Sequence, residues 1–214
     1  MDLAIAGRRR DIKVTGLIGT AHFLSHYYQL TLPALFPLIH AEEGIGYAAL
    51  GALSSIFFFL SGVFQTPAGF LVDRIGGRRM LIGGMVLLAG SIALFAMASS
   101  YWMMAVLAAA GGIGNSIFHP ADYSVLSASV SESRIGRAYS VHGLGGFAGY
   151  GAAPVAMLAL GTWIGWREAM MAVGIIGLIV TLVIHTQRGD IRSTGTADRD
   201  AAAGAARPGG IGAG

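Results

Sequence analysis

Six apolar segments dominate the sequence and constrain its fold more than any other feature. Each is close to the ~20 residues that an α-helix needs to cross the hydrocarbon core of a bilayer. The composition agrees, with 54% hydrophobic and only 12% charged residues, which is far more apolar than a water-soluble domain. The sequence therefore predicts an all-α membrane protein with six transmembrane helices, at about 14–39, 47–71, 80–98, 101–127, 138–160 and 168–185.

The basic residues alternate with these segments in a way that predicts topology. All but Arg167 of the 14 lysines and arginines lie on one side of the predicted membrane. Because cytoplasmic loops carry the excess of Lys and Arg, we predict a multi-pass protein of the bacterial inner membrane with both termini in the cytoplasm. A nucleic-acid surface would gather basic residues on one face, so we expect no nucleic-acid partner. The residues on the predicted cytoplasmic side are Arg8, Arg9, Arg10, Lys13, Arg74, Arg78, Arg79, Arg134, Arg137, Arg188, Arg192, Arg199 and Arg207.

The same segments divide the chain into three regions. Residues 1–13 are a basic cytoplasmic N-terminus, and residues 14–185 are a six-span transmembrane domain. The first apolar segment is too long for the core of a signal peptide, so it is interpreted as an uncleaved span. Residues 186–214 are rich in Gly, Ala, Arg and Asp. Such a tail cannot bury an apolar face, and we predict that it is disordered in the cytoplasm.

Polar residues inside the spans recur at three- and four-residue steps, which places them on one face of each helix. They occur in the first, second, fourth and fifth spans, whereas the third and sixth spans are almost purely apolar. Because polar side chains that face lipid are costly, we expect the polar stripes to face a bundle interior or a water-filled cavity. The resulting candidates for a substrate or proton pathway are His22, His26, Gln29, Gln65, Asn115, His119, Asp122 and His142.

Histidines and one aspartate supply the titratable groups of these stripes. Imidazole titrates near neutral pH, so His26, His119 and His142 are candidates for proton coupling, together with Asp122. The alternative is that neighbouring helices satisfy these side chains and that they serve packing alone. A haem or metal site is a third interpretation. We set it aside because no pair has an obvious opposing partner in the sequence, so we expect no cofactor and no metal.

Enzyme chemistry has little support in the sequence. The motifs of serine hydrolases, His-Glu-x-x-His metalloproteases and phosphate-binding loops with lysine do not occur, and these are the patterns that place a nucleophile, a metal or a phosphate. The chain has no cysteine, so thiolate nucleophiles are excluded. We therefore predict that the protein is not an enzyme.

A charged turn separates the second and third spans, with the sequence Gly69-Phe70-Leu71-Val72-Asp73-Arg74-Ile75-Gly76-Gly77-Arg78-Arg79. Its glycine pair allows a reversal that needs positive φ. The pattern closely resembles the signature loop between the second and third spans of major facilitator superfamily transporters. One departure is that Gly77 stands where the family usually has its first basic residue. The resemblance implies a cytoplasmic gating loop formed by Gly69, Asp73, Arg74, Gly76, Arg78 and Arg79.

Two further stretches, His22–Gln29 and Gly112–Tyr123, are similar to the branch of that superfamily that includes fosmidomycin-resistance efflux proteins. Ala108 departs from the arginine that many drug/proton antiporters have in the fourth span, and His26 stands where relatives can carry a carboxylate. The resemblance implies one half of a major facilitator fold, built as two three-helix inverted repeats. It further implies proton-coupled efflux of a small organic molecule by alternating access. Uptake of a metabolite, or an inactive or regulatory membrane fragment, are the alternatives.

A full transporter of this family has twelve spans in two halves, with the substrate site between the halves. Three accounts of a six-span chain remain open. It is a truncated or frameshifted product, a natural half-length transporter that pairs with itself or with a second six-span half, or a fragment that does not transport. The expected partners are the lipid bilayer, a small-molecule substrate and protons.

Overall fold

The structure is a computed structural model that describes residues 2–192 and 195–196, with side chains from residue 5 onward. All regular elements in this part of the chain are α-helices. They are α1 (Asp2–Ala34), α2 (Phe36–Glu43), α3 (Tyr47–Ile75), α4 (Gly77–Phe95), α5 (Tyr101–Ser116), α6 (Phe118–Ser129), α7 (Glu132–Ile164) and α8 (Trp166–Thr186).

The helices form six spans. Five stretches of the described residues are long and apolar enough to cross a membrane, namely α3, α4, the continuous run of α5 and α6, α7, and α8. The remaining span is α1, which has 33 residues and is followed directly by α2. It is less apolar than the others because His22, Ser25, His26 and Gln29 lie within it. The predicted all-α, six-span membrane fold is confirmed.

The first and fourth spans are each interrupted once, where the sequence predicts single helices over 14–39 and 101–127. The breaks fall at Leu35 and at Ile117, shortly before Pro37 and Pro120. Proline has no N–H, so the carbonyl four residues earlier loses its helical partner. At the start of the chain, α1 begins at Asp2, so the helix extends through most of residues 1–13 ahead of the predicted first span.

The pairing of the helices reveals two repeats of three spans. Among the closest packed pairs, α1 lies along α7, α3 along α5, and α4 along α8. The exchange of each of the first three spans with its counterpart three spans later turns the α1–α7 pair into the α5–α3 pair. The same exchange turns the α4–α8 pair into itself. Because equivalent helices are offset by three spans, an odd number, the second repeat is inverted across the membrane, as in each half of a major facilitator bundle.

Small residues bring α1 and α7 together. A Cβ added at Gly145 would lie 2.9 Å from the carbonyl oxygen of Gly19, and one at Gly149 would collide with the carbonyl oxygen of Phe23. Lipid provides no hydrophobic drive between helices, so close backbone approach is a main source of packing. Gly151 does not contribute, because a Cβ there would meet nothing within 4 Å.

Broad apolar faces of α3 and α7 are uncovered in this chain. Large side chains on these faces are strongly exposed, for example Phe59 at 67% on α3 and Phe147 at 76% on α7. α4 and α8 pack against each other, and they too expose large apolar side chains, for example Leu94 at 48% and Leu182 at 61%. The exposed residues on α3 and α7 include Phe58, Phe59, Val63, Phe64, Phe70, Leu144, Phe147, Val155, Leu158 and Trp163.

The residues after α8 pack onto the end of the bundle where most of the basic side chains meet, which we call the basic end. Arg10 donates two hydrogen bonds of 2.9 Å to the carbonyl oxygen of Asp190, and Lys13 pairs with the Asp190 carboxylate at 2.7 Å. Ile191 is buried, and Arg78 donates to the carbonyl oxygen of Arg188 at 3.0 Å. Residues 187–192 are therefore packed, which differs from the disorder predicted for 186–214. Apart from 195–196, the rest of that tail lies outside the described residues.

The contact between α1 and α7 leads to a stability prediction. We expect Gly149→Ala to lower the free energy of unfolding by about 1–3 kcal/mol, because the added methyl overpacks against α1. Gly151→Ala is the matched control, since it carries the same gain in helix propensity without a new contact. Denaturant titration of both variants in detergent measures the difference. Equal stability of the two variants would contradict close packing at Gly149.

Candidate functional site

Four histidines and one aspartate gather in the interior of the bundle. His22 and His26 come from α1, His119 and Asp122 from α6, and His142 from α7. The ring centroids of His22 and His142 are 3.5 Å apart in a stacked arrangement. The His22 ring also lies 4.4 Å from that of His26 and 5.1 Å from that of His119. Side chains that the sequence distributes over three spans thus form one group, which we call the His/Asp cluster.

Asp122 is the centre of this cluster. It is 0% exposed, and its Oδ2 is hydrogen-bonded by Nδ1 of His22 at 3.1 Å and by Nε2 of His142 at 3.0 Å. Its Oδ1 is buried without a hydrogen-bond partner in the described part of the chain. An ionisable group within the membrane is costly unless neighbouring groups compensate it. The imidazoles of α1 and α7 provide that compensation, so one carboxylate links three helices.

Local sequence places these side chains. His119 and Asp122 are three residues apart and therefore share one face of α6, and the break at Ile117 allows α6 to start anew beside Pro120. On α7, Gly146 leaves room for the cluster. A Cβ added there would lie 3.0 Å from both the His22 and the His26 rings, so a larger residue would displace the histidines.

His26 is the least satisfied member of the cluster. Neither of its ring nitrogens, both buried, has a hydrogen-bond partner in the described residues. Its ring centroid lies 4.3 Å from that of Tyr150 and 5.9 Å from that of His119. His119 in turn stacks on Tyr123 at 6.2 Å. Aromatic side chains thus enclose this part of the cluster.

A second polar chain lies beside the cluster and is fully bonded. Ser25 Oγ donates to Asn115 Oδ1 at 2.9 Å, and Asn115 Nδ2 donates to Ser61 Oγ at 2.8 Å. These bonds join α1, α5 and α3. Tyr150 on α7 donates to Gln29 Oε1 at 2.6 Å. Asn115 and Gln29 thus hold helices together.

The structure does not bring Gln65 into this group. Gln65 is exposed on α3. Conversely, Ser61, Tyr123 and Tyr150 contact the polar groups but were not among the candidate residues. Helical periodicity places Tyr150 on the polar stripe of α7, two turns after His142, and Ser61 on the polar stripe of α3. Tyr123 gives no such signal, because its role depends on how α6 packs.

The charged turn between α3 and α4 lies at the basic end. Gly76 has φ 102°, so the predicted positive φ is confirmed. A Cβ added at Gly77 would lie 2.9 Å from Ser124 Oγ and 3.1 Å from the carbonyl oxygen of Ala121. The close approach of α4 to α6 therefore accounts for the glycine that stands where the family has a basic residue.

The predicted gating residues of this turn are distributed around it. Arg74 and Arg79 are exposed, and Arg78 bonds the residues after α8. Asp73 is also exposed and, with Gly69, lines a groove of about 470 Å³ between α3 and α6. Within the described residues the turn thus presents an open groove rather than a closed contact.

Asp11 joins α1 to α7 at the basic end, a role that no motif in the sequence predicts. Its Oδ2 accepts hydrogen bonds from Ser131 Oγ and from Arg134 Nη1, both at 2.7 Å. Burial alone would raise the pKa of Asp11, but the bonds from Ser131 and the charge of Arg134 hold that pKa below its usual value. At the opposite end Arg167 pairs with Glu43 at 2.6 Å. The alternation of basic loops predicted from the sequence is consistent with this arrangement.

Sequence comparison places the bundle in a family. The Major Facilitator Superfamily profile matches residues 18–206. The chain belongs to the Major Facilitator Superfamily. Members of this family are membrane transporters, so the predicted resemblance is confirmed and the chain is a multi-pass membrane protein of a transport family.

Curated relatives include several kinds of membrane protein. The chain is 28% identical over 147 residues to the Fosmidomycin resistance protein of Escherichia coli strain K12, which covers 69% of this chain and 36% of that protein. It is 26% identical over 144 residues to the Probable L-galactonate transporter of the same strain, covering 67% and 32%. It is 26% identical over 176 residues to the Membrane sensor protein UhpC of Salmonella typhimurium, covering 82% and 39%. The chain thus spans less than half the length of these relatives.

Solved structures share the fold. A peptide transporter POT in complex with sulfate matches with a TM-score of 0.73 and 16% identity, over 90% of this chain and 43% of that chain. A bacterial homologue of the human lysosomal transporter Spinster, in an inward-facing and unoccupied conformation, matches with a TM-score of 0.70 and 15% identity, over 83% and 43%. The predicted half of a major facilitator fold is confirmed.

The bonds of Asp11 lead to a pH prediction. A lowered pKa in the folded state means that this group stabilises the fold above its unfolded pKa of about 3.9, and that the stabilisation is lost as pH falls through the lower folded pKa. We expect Asp11→Asn to cost about 1–2 kcal/mol at pH 7 and progressively less in acid. Denaturant titrations at several pH values measure this, with Glu132→Gln as an exposed control. A cost that does not change with pH would contradict an ionised Asp11.

Proposed function

We propose that this chain forms six spans of a transporter that exports a small organic molecule in exchange for protons by alternating access. The observation that supports it best is the fully buried Asp122 carboxylate, shared by His22 and His142 from two other helices. In this proposal the His/Asp cluster carries the protons. The polar face that it occupies lies where a substrate pathway through the bundle would run.

The hydrogen bonds at Asp122 make the packing of the helices depend on whether this carboxylate carries a proton. An ionised carboxylate accepts from both imidazoles, whereas a protonated one carries an O–H and becomes a donor on one oxygen. Adding a proton to Asp122 therefore changes the bonds that tie α6 to α1 and α7. Because buried groups have few alternative partners, a change in these bonds shifts α6 relative to α1 and α7. That response is what alternating access coupled to protons requires.

A second six-span half completes the proposed transporter. The uncovered apolar faces of α3 and α7 and the groove beside Asp73 are the surfaces that such a half would cover. It is supplied by a continuation of the same polypeptide, by a second copy of this chain or by another chain. In this arrangement the basic end faces the cytoplasm, as the Lys and Arg bias favours, and Asp73 and Arg74 help to close that side against the second half.

Two other functions have some support from the relatives. One relative is named a probable L-galactonate transporter, which favours uptake of a metabolite. Another is named a membrane sensor protein, which favours a regulatory role without transport. The same cluster could serve symport or antiport, so the direction of proton movement decides between export and uptake.

Everted membrane vesicles that contain the chain and are acidified inside test the exchange, with fosmidomycin and L-galactonate as trial substrates. Export in exchange for protons predicts that an added substrate releases protons from the lumen, which a fluorescent pH probe detects. We expect Asp122→Asn to reduce this release at least about tenfold, within the range that positioned proton-transfer groups contribute. His185→Gln changes an exposed histidine outside the cluster and should leave the release unchanged.

Three results would contradict the proposal in different ways. Unchanged proton release in Asp122→Asn would remove the cluster from the coupling mechanism. Substrate uptake in intact cells that acidifies the cytoplasm would indicate symport. Substrate movement that an uncoupler does not affect would exclude proton coupling.

A further inference from the structure

We infer that the His/Asp cluster is a binding site for one divalent transition-metal ion of the class of Zn²⁺, Co²⁺ and Ni²⁺. The inference concerns the same residues as the proposed proton site, but it adds a ligand that proton coupling does not require. Three observations support it: the distances between the donor atoms, the buried donor atoms that lack a hydrogen-bond partner, and the metal preference of imidazole and carboxylate ligands.

The donor atoms form two overlapping triads. One ligand atom from each of His22, Asp122 and His142 lies within 4.8 Å of the others, and the same holds for His22, His26 and His119. Two neighbouring ligands of a tetrahedral ion with bonds of about 2.0 Å lie about 3.3 Å apart. The nitrogen-to-oxygen distances of 3.1 and 3.0 Å at Asp122 are close to that separation. Small side-chain movements would therefore bring three of these ligands to one ion and leave the fourth position to water or another donor.

The cluster also contains atoms that its own hydrogen bonds do not satisfy. Oδ1 of Asp122 and both ring nitrogens of His26 are buried and have no partner among the described residues. Such atoms are costly in the interior of a protein or membrane. A proton on His26 would not solve this, since the resulting N–H would still need an acceptor. A cation in the triad of His22, Asp122 and His142 could bind through Oδ1 of Asp122 and give that atom a partner, whereas His26 belongs to the other triad.

The types of donor select the ion. Imidazole nitrogen suits Zn²⁺, Cu²⁺ and Ni²⁺, whereas Mg²⁺ and Ca²⁺ prefer sites made of oxygen ligands alone. The chain has no cysteine, so a thiolate site for softer ions is excluded. The sequence offered no opposing partner for any histidine, and this was the reason for discounting a metal. In the structure the rings of His22 and His142 stack on each other, and each presents a nitrogen to the same oxygen of Asp122. This arrangement supplies the partners that the sequence did not show.

Metal binding and proton binding exclude each other at this cluster. A ligating imidazole must be neutral and a ligating carboxylate ionised, so binding releases protons and weakens as the pH falls. The single carboxylate leaves a bound divalent ion with net positive charge, which the surrounding imidazoles accommodate only when they are unprotonated. A bound metal would therefore hold α1, α6 and α7 in the arrangement that protons loosen.

Calorimetric titration of the tag-free chain in nanodiscs with ZnCl₂ tests this inference. We expect saturation at one ion per chain, with proton release that appears as a dependence of the heat on the buffer. His142→Gln and Asp122→Asn should each weaken binding at least about tenfold, since even changes outside the first coordination shell cost about 10–100-fold. His40→Gln and His185→Gln change exposed histidines outside the cluster and should leave binding unchanged.

Titration with Co²⁺ provides a second readout, because tetrahedral ligation gives an intense visible absorption that simple charge screening does not. Circular dichroism and thermal melting check that each variant is folded. Failure of the wild-type chain to bind Zn²⁺ would overturn the inference, as would binding that His185→Gln or His40→Gln removes. Binding of unchanged strength in both folded cluster variants would also overturn it.

The outcomes separate this inference from the proposed function. Zn²⁺ binding is measured without a transport substrate, so it can fail while substrate-driven proton release persists, and this result removes only the metal. If Zn²⁺ binds at the cluster but Asp122→Asn leaves proton release intact, the metal site stands and the proton role falls.

Discussion

A carboxylate inside a membrane bundle is stable only if other groups surround it with hydrogen-bond donors, and Asp122 meets this condition through His22 and His142. The two imidazoles come from α1 and α7, so the bond pattern around one oxygen fixes three helices relative to one another. Other features of the interior serve the same contact. Gly145 and Gly149 allow α1 to approach α7, and the interruption at Ile117 lets α6 present Asp122 to both.

At their ends, the helices are joined by ion pairs and hydrogen bonds close to water. Asp11 joins α1 to the start of α7 through Ser131 and Arg134. Arg167 joins Glu43 at the other end and bonds the carbonyl oxygens of Ala96 and Ala98. These contacts lie near water and can exchange partners at modest cost, whereas those at Asp122 cannot. A bundle with firm bonds inside and exchangeable bonds at its ends suits the rearrangement that the proposed transport requires.

Much of this fold could be predicted from the sequence because a membrane imposes few solutions. Apolar runs of about 20 residues give the spans, and helical periodicity placed His22, Asp122 and His142 on inward-facing stripes. The signature turn at Asp73 indicated the family before any comparison. Gln65 also follows a polar stripe, yet it is exposed on α3. Periodicity assigns a face of a helix, but it does not say what covers that face.

The remaining features depend on contacts between residues far apart in the chain. Asp11 meets Ser131 and Arg134 only after α1 packs on α7, and Asp190 meets Arg10 and Lys13 only after the last span returns to the basic end. The same applies to the stacked imidazoles of His22 and His142, which both present a nitrogen to Asp122. The most direct test of the central role of Asp122 is a double-mutant cycle with Asp122→Ala and His142→Ala, read as the free energy of unfolding in detergent. Strong coupling of about 1–3 kcal/mol is the result expected if this bond holds α6 to α7. Additivity within about 0.5 kcal/mol would contradict it.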